Sequence, residues 1–262
     1  MSILQESLAV AEKELKLGLR FKVNFFSSVI LNPLMYTVWF GLIYAGFFSF
    51  GGKNIAGINP TNVIPFLILG GLANILYRAG YNAFDTKFLA EKFWHTIEAT
   101  LISPINKISI LFGVFFVEMM RIILFIIGGI GIALLFYPTA TYKAAIVLLI
   151  LLLLGLMTIG IGLVKAGFIL ANENMLAFFQ YFNYLIMFLS CFYYPIEALP
   201  SWIHPLVILN PVYHGTTIIR DVWFGNPFSM LSFLFVFLTA LSSLIFGTLL
   251  FSLTWRKLGI TG

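Results

Sequence analysis

Apolar residues run through this 262-residue chain in long blocks separated by short polar ones. The blocks cover about residues 24–50, 63–84, 108–136, 144–164, 175–193 and 228–254. A helix needs roughly 17–25 apolar residues to cross a bilayer, and each block falls near that range. The runs are continuous rather than alternating, which predicts membrane-spanning helices and not barrel strands. Ahead of them, Leu4, Leu8, Ala11, Leu15 and Leu19 recur at three- and four-residue steps among Glu6, Glu12, Lys13, Glu14, Lys16, Arg20 and Lys22. That spacing puts one apolar stripe on a charged helix over residues 1–23. Such a helix either lies in the membrane interface or packs, solvated, on a partner. The first block is too long for a signal-peptide core and lacks a small-residue cleavage site, so it is read as a retained span.

The polar breaks differ in kind. GGKNIAGINPTN and YPTATYK have the Gly, Asn and Pro content of short exposed turns. KAGFILANEN is a further polar break, starting at Lys165. Residues 85–107 keep a helical pattern: Phe84, Phe88, Trp94, Ile97, Leu101 and Ile102 approximate a stripe, with Lys87, Glu91, Lys92, His95 and Glu98 largely elsewhere. Ser103-Pro104 then reads as a helix restart, since Ser caps and Pro fits the first turn. The result is a short surface helix on two membrane-crossing arms, suited equally to anchoring a loop or to passing a push into the bundle. Residues 194–227 carry Pro195, Pro200, Pro205 and Pro211 within an apolar setting. Broken backbone at membrane depth is tolerated where protein or water satisfies it. Two re-entrant helices forming an outer gate, or a surface cap, both answer that description, with Trp202 and Tyr213 suited to the interface.

Composition narrows the class. Hydrophobic residues make up 61% of the chain and charged ones 10%, with mean hydropathy +1.02. Soluble domains run at about 45–50% and about 25%, so the chain is an all-α integral membrane protein, one transmembrane domain over 1–262. The net charge of +5 is explained by its placement. With six spans the termini share a side with the second-to-third and fourth-to-fifth connections. That side holds Lys13, Lys16, Arg20, Lys22, Lys87, Lys92, Lys107, Lys165, Arg256 and Lys257, against Lys53, Lys143 and Arg220 opposite. The positive-inside rule then puts both termini in the cytoplasm of a multi-pass cell-membrane protein. The excess charge needs no nucleic-acid partner.

Few residues suggest chemistry. Glu118 and Arg121 lie three apart in the third span, roughly 15–20 Å into it at about 1.5 Å per residue. Charges at that depth pair and face the bundle interior or a water-filled path. They are candidates for a translocation path or dimer seam, or for a structural ion pair. Arg78, nearer its span's cytoplasmic end, is grouped with them, though snorkelling to the interface also explains it. His204, His214 and Glu197 share the outer segment without a zinc-ligand spacing, so no metal site is expected. A single cysteine, Cys191, excludes an internal disulfide. No hydrolase or metalloprotease signature occurs, nor any G-x-x-x-x-G-K-[ST] phosphate loop. A transport subunit is expected rather than a lipid-modifying enzyme. The 29 Phe residues suit lipid contact, helix packing or an aromatic path for amphiphiles.

Two stretches carry a resemblance. HTIEATLISPINKISILFGV resembles the coupling segment of the type-2 ABC exporter (ABC-2) permeases, with Thr96, Ile97, Glu98, Leu101 or Ile102, Ser103 and Pro104 filling the pattern and His95 where Gly is usual. YPIEALPSWIHPLVILNPVYHGTTIIRD resembles the family's outer segment through Pro195, Leu199, Pro200, Trp202, Asn210, Pro211 and Arg220. The pattern is most similar to drug-resistance and lipo-oligosaccharide export permeases. The resemblance implies a homodimer of permeases in membrane lipid with two copies of a cytoplasmic ABC ATPase. ATP and Mg would be bound by that partner, and no cofactor by this chain. It implies that Trp94, Thr96, Ile97, Glu98, Leu101, Ser103 and Pro104 form the ATPase-coupling helix, and that Pro195, Pro200, Trp202, Asn210, Pro211 and Arg220 form the outer gate. The cargo would be an amphiphile: a lipid-linked glycan, a lipo-oligosaccharide or a hydrophobic drug. An ATP-independent transporter or channel is the competing expectation.

Overall fold

The computed structural model describes residues 3–20, 23, 27, 31–49, 57–84, 87–89, 106–172 and 174–261. Nine helices are found among them: α1 (Ile3–Arg20), α2 (Asn32–Ser49), α3 (Val63–Asn82), α4 (Lys107–Phe136), α5 (Thr141–Ala171), α6 (Met175–Leu189), α7 (His204–Ile208), α8 (Pro211–Phe224) and α9 (Met230–Thr261). Two single 3-10 turns, Ile196–Ala198 and Ser201–Ile203, precede α7, and the described residues contain no strand. The stretches that open at Val63, Thr141 and Met230 are long and apolar enough to cross a membrane. Shorter apolar helical stretches are Val38–Ser49, Ile108–Met120, Ile126–Phe136 and Met175–Leu189.

Helix α5 is the hub. It packs on α9 along one side, on α3 along another, and on α8 towards one end. Close approach is made possible by glycine. A Cβ on Gly162 would collide with the Gly80 carbonyl of α3, and one on Gly160 would collide with Ser243 of α9. Hydroxyls bridge the same seams: Thr158 Oγ1 donates to Leu76 O (3.3 Å) and Ser243 Oγ to Met157 O (3.2 Å). Small residues at such crossings let backbones meet where lipid supplies no hydrophobic drive for association. The opposite faces stay apolar and exposed, as Leu149, Leu152 and Leu156 on α5 and Leu241, Ile245, Leu249 and Leu253 on α9 show. A chain with such stripes buries them in lipid or against a partner.

Several boundaries depart from the sequence pattern for identifiable reasons. The break expected from Lys165 begins only after Ala171, because Lys165 is buried (3% exposed) and satisfied inside the bundle. Helix α4 opens at Lys107, beside the expected start of the third block at about 108, and the Ser103-Pro104 restart lies outside the described residues. Asn106 is extended, and its side chain accepts from Ile108 N at 3.0 Å, a capping arrangement. Helix α6 stops at Leu189, short of Tyr193, because Cys191 adopts a left-handed backbone (φ 50°) that an ordinary helix cannot absorb.

Candidate functional site

The charged N-terminal helix is docked along α4 through its small and apolar face. Ser7, Val10 and Ala11 are buried there. Gly113 makes room, since a Cβ at that position would lie 2.6 Å from Val10 Cβ. Val10 joins Phe84, Phe88, Ile110, Leu111, Val114 and Phe251 in one apolar cluster, so the helix is part of the bundle's core at that end.

Two of its carboxylates reach the two arms that frame residues 85–107. Glu14 Oε1 accepts from Lys87 Nζ at 2.6 Å, with only 10% of the lysine side chain exposed. Glu6 Oε2 accepts from Asn106 N at 3.1 Å and from Ser109 Oγ at 2.9 Å. These two hydrogen bonds, the backbone one first, hold the Glu6 carboxyl below the usual carboxylate range. One rigid helix therefore ties down both ends of the segment. A third tie comes from α5: Lys165 Nζ donates to Asn82 Oδ1 (2.8 Å) and Tyr81 O (3.3 Å), and lies 4.0 Å from the centre of the Tyr81 ring. A cation is favoured at that place, near the C-terminal end of α3, by the helix dipole. Trp94, Thr96, Ile97, Glu98, Leu101, Ser103 and Pro104 lie outside the described residues.

At the far end of the bundle, four prolines of the outer segment each open a short helical piece. Pro195 precedes the first 3-10 turn and Pro200 the second, Pro205 sits at the start of α7, and Pro211 is the first residue of α8. Asn210 carries most of the connection. Its Oδ1 accepts from Val212 N (3.0 Å) to cap α8, while Nδ2 donates to Ser190 Oγ (2.9 Å) and Ile186 O (3.2 Å) at the end of α6. Gly225 closes α8 in a left-handed conformation (φ 81°), and Asn226 N donates back to Asp221 O at 2.8 Å. Trp202 is 74% exposed.

Arg220 is 8% exposed and faces carbonyls. Its guanidinium donates to Cys191 O (2.9 Å), to Phe192 O and to Phe66 O (3.5 Å), and lies 3.5 Å from the centre of the Phe66 ring. It thereby ties α8 to the end of α6 and the start of α3. Beside it opens a cavity of ≈ 490 Å³, bounded by the 57–62 turn, Tyr137 and the outer segment, with Glu197, Arg220 and Asp221 in its wall.

The mid-span charges sit elsewhere. Arg78 and Glu118 are half-buried on the packed helices α3 and α4, and the Arg121 side chain lies outside the described residues. The structure also shows polar links that the sequence reading did not single out. Tyr77 Oη donates to Asn183 Oδ1 (2.7 Å), Tyr81 Oη to Phe179 O (2.8 Å) and Asn74 Nδ2 to Tyr193 Oη (3.0 Å). The three- and four-residue steps from Asn74 to Tyr77 to Tyr81 are the signal that would have found this polar face. Glu6 and Glu14 had no such signal, being ordinary surface residues by pattern, and Ser109 was a lone hydroxyl in an apolar block.

Comparison with known proteins adds one positive finding. Residues 5–224 match the family model described as ABC-2 type transporter. A search of curated proteins gave no match.

Proposed function

This chain belongs to the ABC-2 type transporter family, and from that premise we propose that it is the membrane-spanning subunit of an ATP-driven exporter of amphiphiles. It spans the membrane six times with both termini cytoplasmic and works as a homodimer with two copies of a cytoplasmic ATPase, which bind ATP and Mg. The cargo is a lipid-linked glycan, a lipo-oligosaccharide or a hydrophobic drug. Residues 85–107 receive the force of ATPase closure, with Trp94, Ile97, Glu98 and Leu101 in contact with the partner. Residues 194–227 form the outer gate.

The observation that carries this reading is the double tie from α1, through Glu14 to Lys87 and through Glu6 to Asn106 and Ser109. A loop that only anchors the chain has no need of a rigid brace across both arms. A segment that takes a push does, because an unbraced pair of arms would flex and dissipate the displacement. Lys165 fixes the first arm to α5, the helix on which α3, α8 and α9 all pack, so displacement at that arm is passed to the hub.

The test is co-purification from native membranes with an ATPase subunit, followed by transport and hydrolysis measured together in proteoliposomes. Glu98→Gln or Leu101→Ala should leave hydrolysis running while export falls. Unchanged export with unchanged stimulation of hydrolysis in both variants would overturn the coupling assignment. Failure to bind any ATPase would favour an ATP-independent transporter. A Glu118→Gln/Arg121→Gln double variant that assembles and exports normally would remove those charges from the path.

A further inference from the structure

The cavity beside Arg220 brings both signs of charge and several rings into one space. Glu197 and Asp221 line it, and neither is in an ion pair with another described residue. Arg220 also lines it: its guanidinium meets backbone carbonyls and the Phe66 ring, the neighbouring Asp221 carboxylate acts on its charge, and its buried Nε–H has no acceptor among the described residues. A buried charged donor left unmatched is costly and is stabilised by any oxygen that approaches it. Outside the wall itself, the Lys143 amine lies over Gly225, between the lining residues Phe224 and Asn226, 2.7 Å from where a Cβ would be. Tyr194, Tyr213 and Phe224 supply aromatic walls.

A ligand of one sign meets a group of its own sign here: an anion faces Glu197 and Asp221, and a cation faces Arg220 and Lys143. Such opposition is how charged sites reject the wrong partner. A ligand with separated phosphate and ammonium groups satisfies both ends, and an ammonium is further favoured by aromatic faces. We propose that this cavity binds the phosphate-and-ammonium headgroup of a zwitterionic amphiphile. The phosphate lies towards Arg220 and Lys143, and the ammonium lies among Glu197, Asp221 and the tyrosine rings. The inference rests on the exporter reading only for placing the cavity at the outer leaflet. Its ligand chemistry follows from the lining residues themselves.

The experiment uses the full chain without its ATPase, in nanodiscs of phosphatidylglycerol. Binding is measured for dihexanoyl-phosphatidylethanolamine, dihexanoyl-phosphatidylglycerol, hexyl glucoside and free phosphoethanolamine. The phosphatidylethanolamine probe should bind tightest, and Glu197→Gln and Asp221→Asn should each raise its Kd about three- to fivefold, the range expected for part-exposed charge pairs. Equal or tighter binding of the phosphatidylglycerol probe, or of the glucoside (a polyol site), would overturn the proposal. So would a phosphatidylethanolamine Kd unmoved by Glu197→Gln and by Asp221→Asn. Saturable binding of free phosphoethanolamine supports the proposal with a headgroup-only ligand, whereas binding of the lipid alone supports it with a bilayer lipid. Since no ATPase is present, failure here leaves co-purification with an ATPase untouched.

Discussion

Single polar side chains decide where this oily chain starts and stops its helices. Asn210 caps α8 while also holding the end of α6, so Asn210→Ala removes a cap worth about 1 kcal/mol and leaves the Ile186 carbonyl and Ser190 hydroxyl without that donor. We expect destabilisation of about 2–3 kcal/mol in total, read as a lower melting temperature in detergent, with Asn210→Asp retaining the cap and losing the donor. Glu6 gives a pH-dependent contact. Its carboxyl is held below the usual range by Asn106 N–H and the Ser109 hydroxyl, so the ionised form favours docking of α1. That contribution is full above the ordinary glutamate pKa and is lost as pH falls through the lowered value. A spin-label distance between α1 and α4 should therefore broaden on acidification, and Glu6→Gln should flatten the response. Asn210-Pro211 was legible in the sequence because cap and proline are local signals. Glu6 was not, because its partners lie about a hundred residues away in the chain.

At the scale of helices, hydropathy located the apolar blocks well, and it erred where a polar residue is satisfied internally. Lys165 looks like the start of a loop by composition, yet it sits inside α5 because Tyr81 O and Asn82 Oδ1 on α3 supply its acceptors. Cys191 works in the opposite direction: an apolar stretch ends early because the backbone turns left-handed there, which no hydropathy pattern encodes. The seams between α3, α5 and α9 depend on glycines that a sequence read without its neighbours leaves unremarked. Gly160→Leu forces α5 and α9 apart and should cost at least about 1–3 kcal/mol, as overpacking does. The expected readout is loss of folded protein on size-exclusion chromatography. Gly128→Leu, where nothing lies within 4 Å, should be tolerated.

Across the whole molecule, the helices form a braced unit at one end and a proline-segmented cap at the other, joined through α3, α5 and α8. The class and the family were legible in the sequence: long apolar blocks set the first, and two polar stretches in order suggested the second, which the match over residues 5–224 shows. The brace was not legible, since it is made by one ion pair and a few hydrogen bonds between residues far apart in sequence and brought together by folding. One buried atom offers a practical gain. Cys191 is the chain's single cysteine and is 1% exposed, lying at the junction whose carbonyls Arg220 holds. Its thiol should resist maleimide in the resting protein and, on the proposed ATP-driven cycle, react faster whenever the outer segment lifts during turnover with ATP and the proposed ATPase partner. Constant reactivity with and without ATP would mean that the junction stays closed throughout the cycle. These 262 residues thus carry their own stopwatch for the outer segment, with no label engineered in and no second thiol among them.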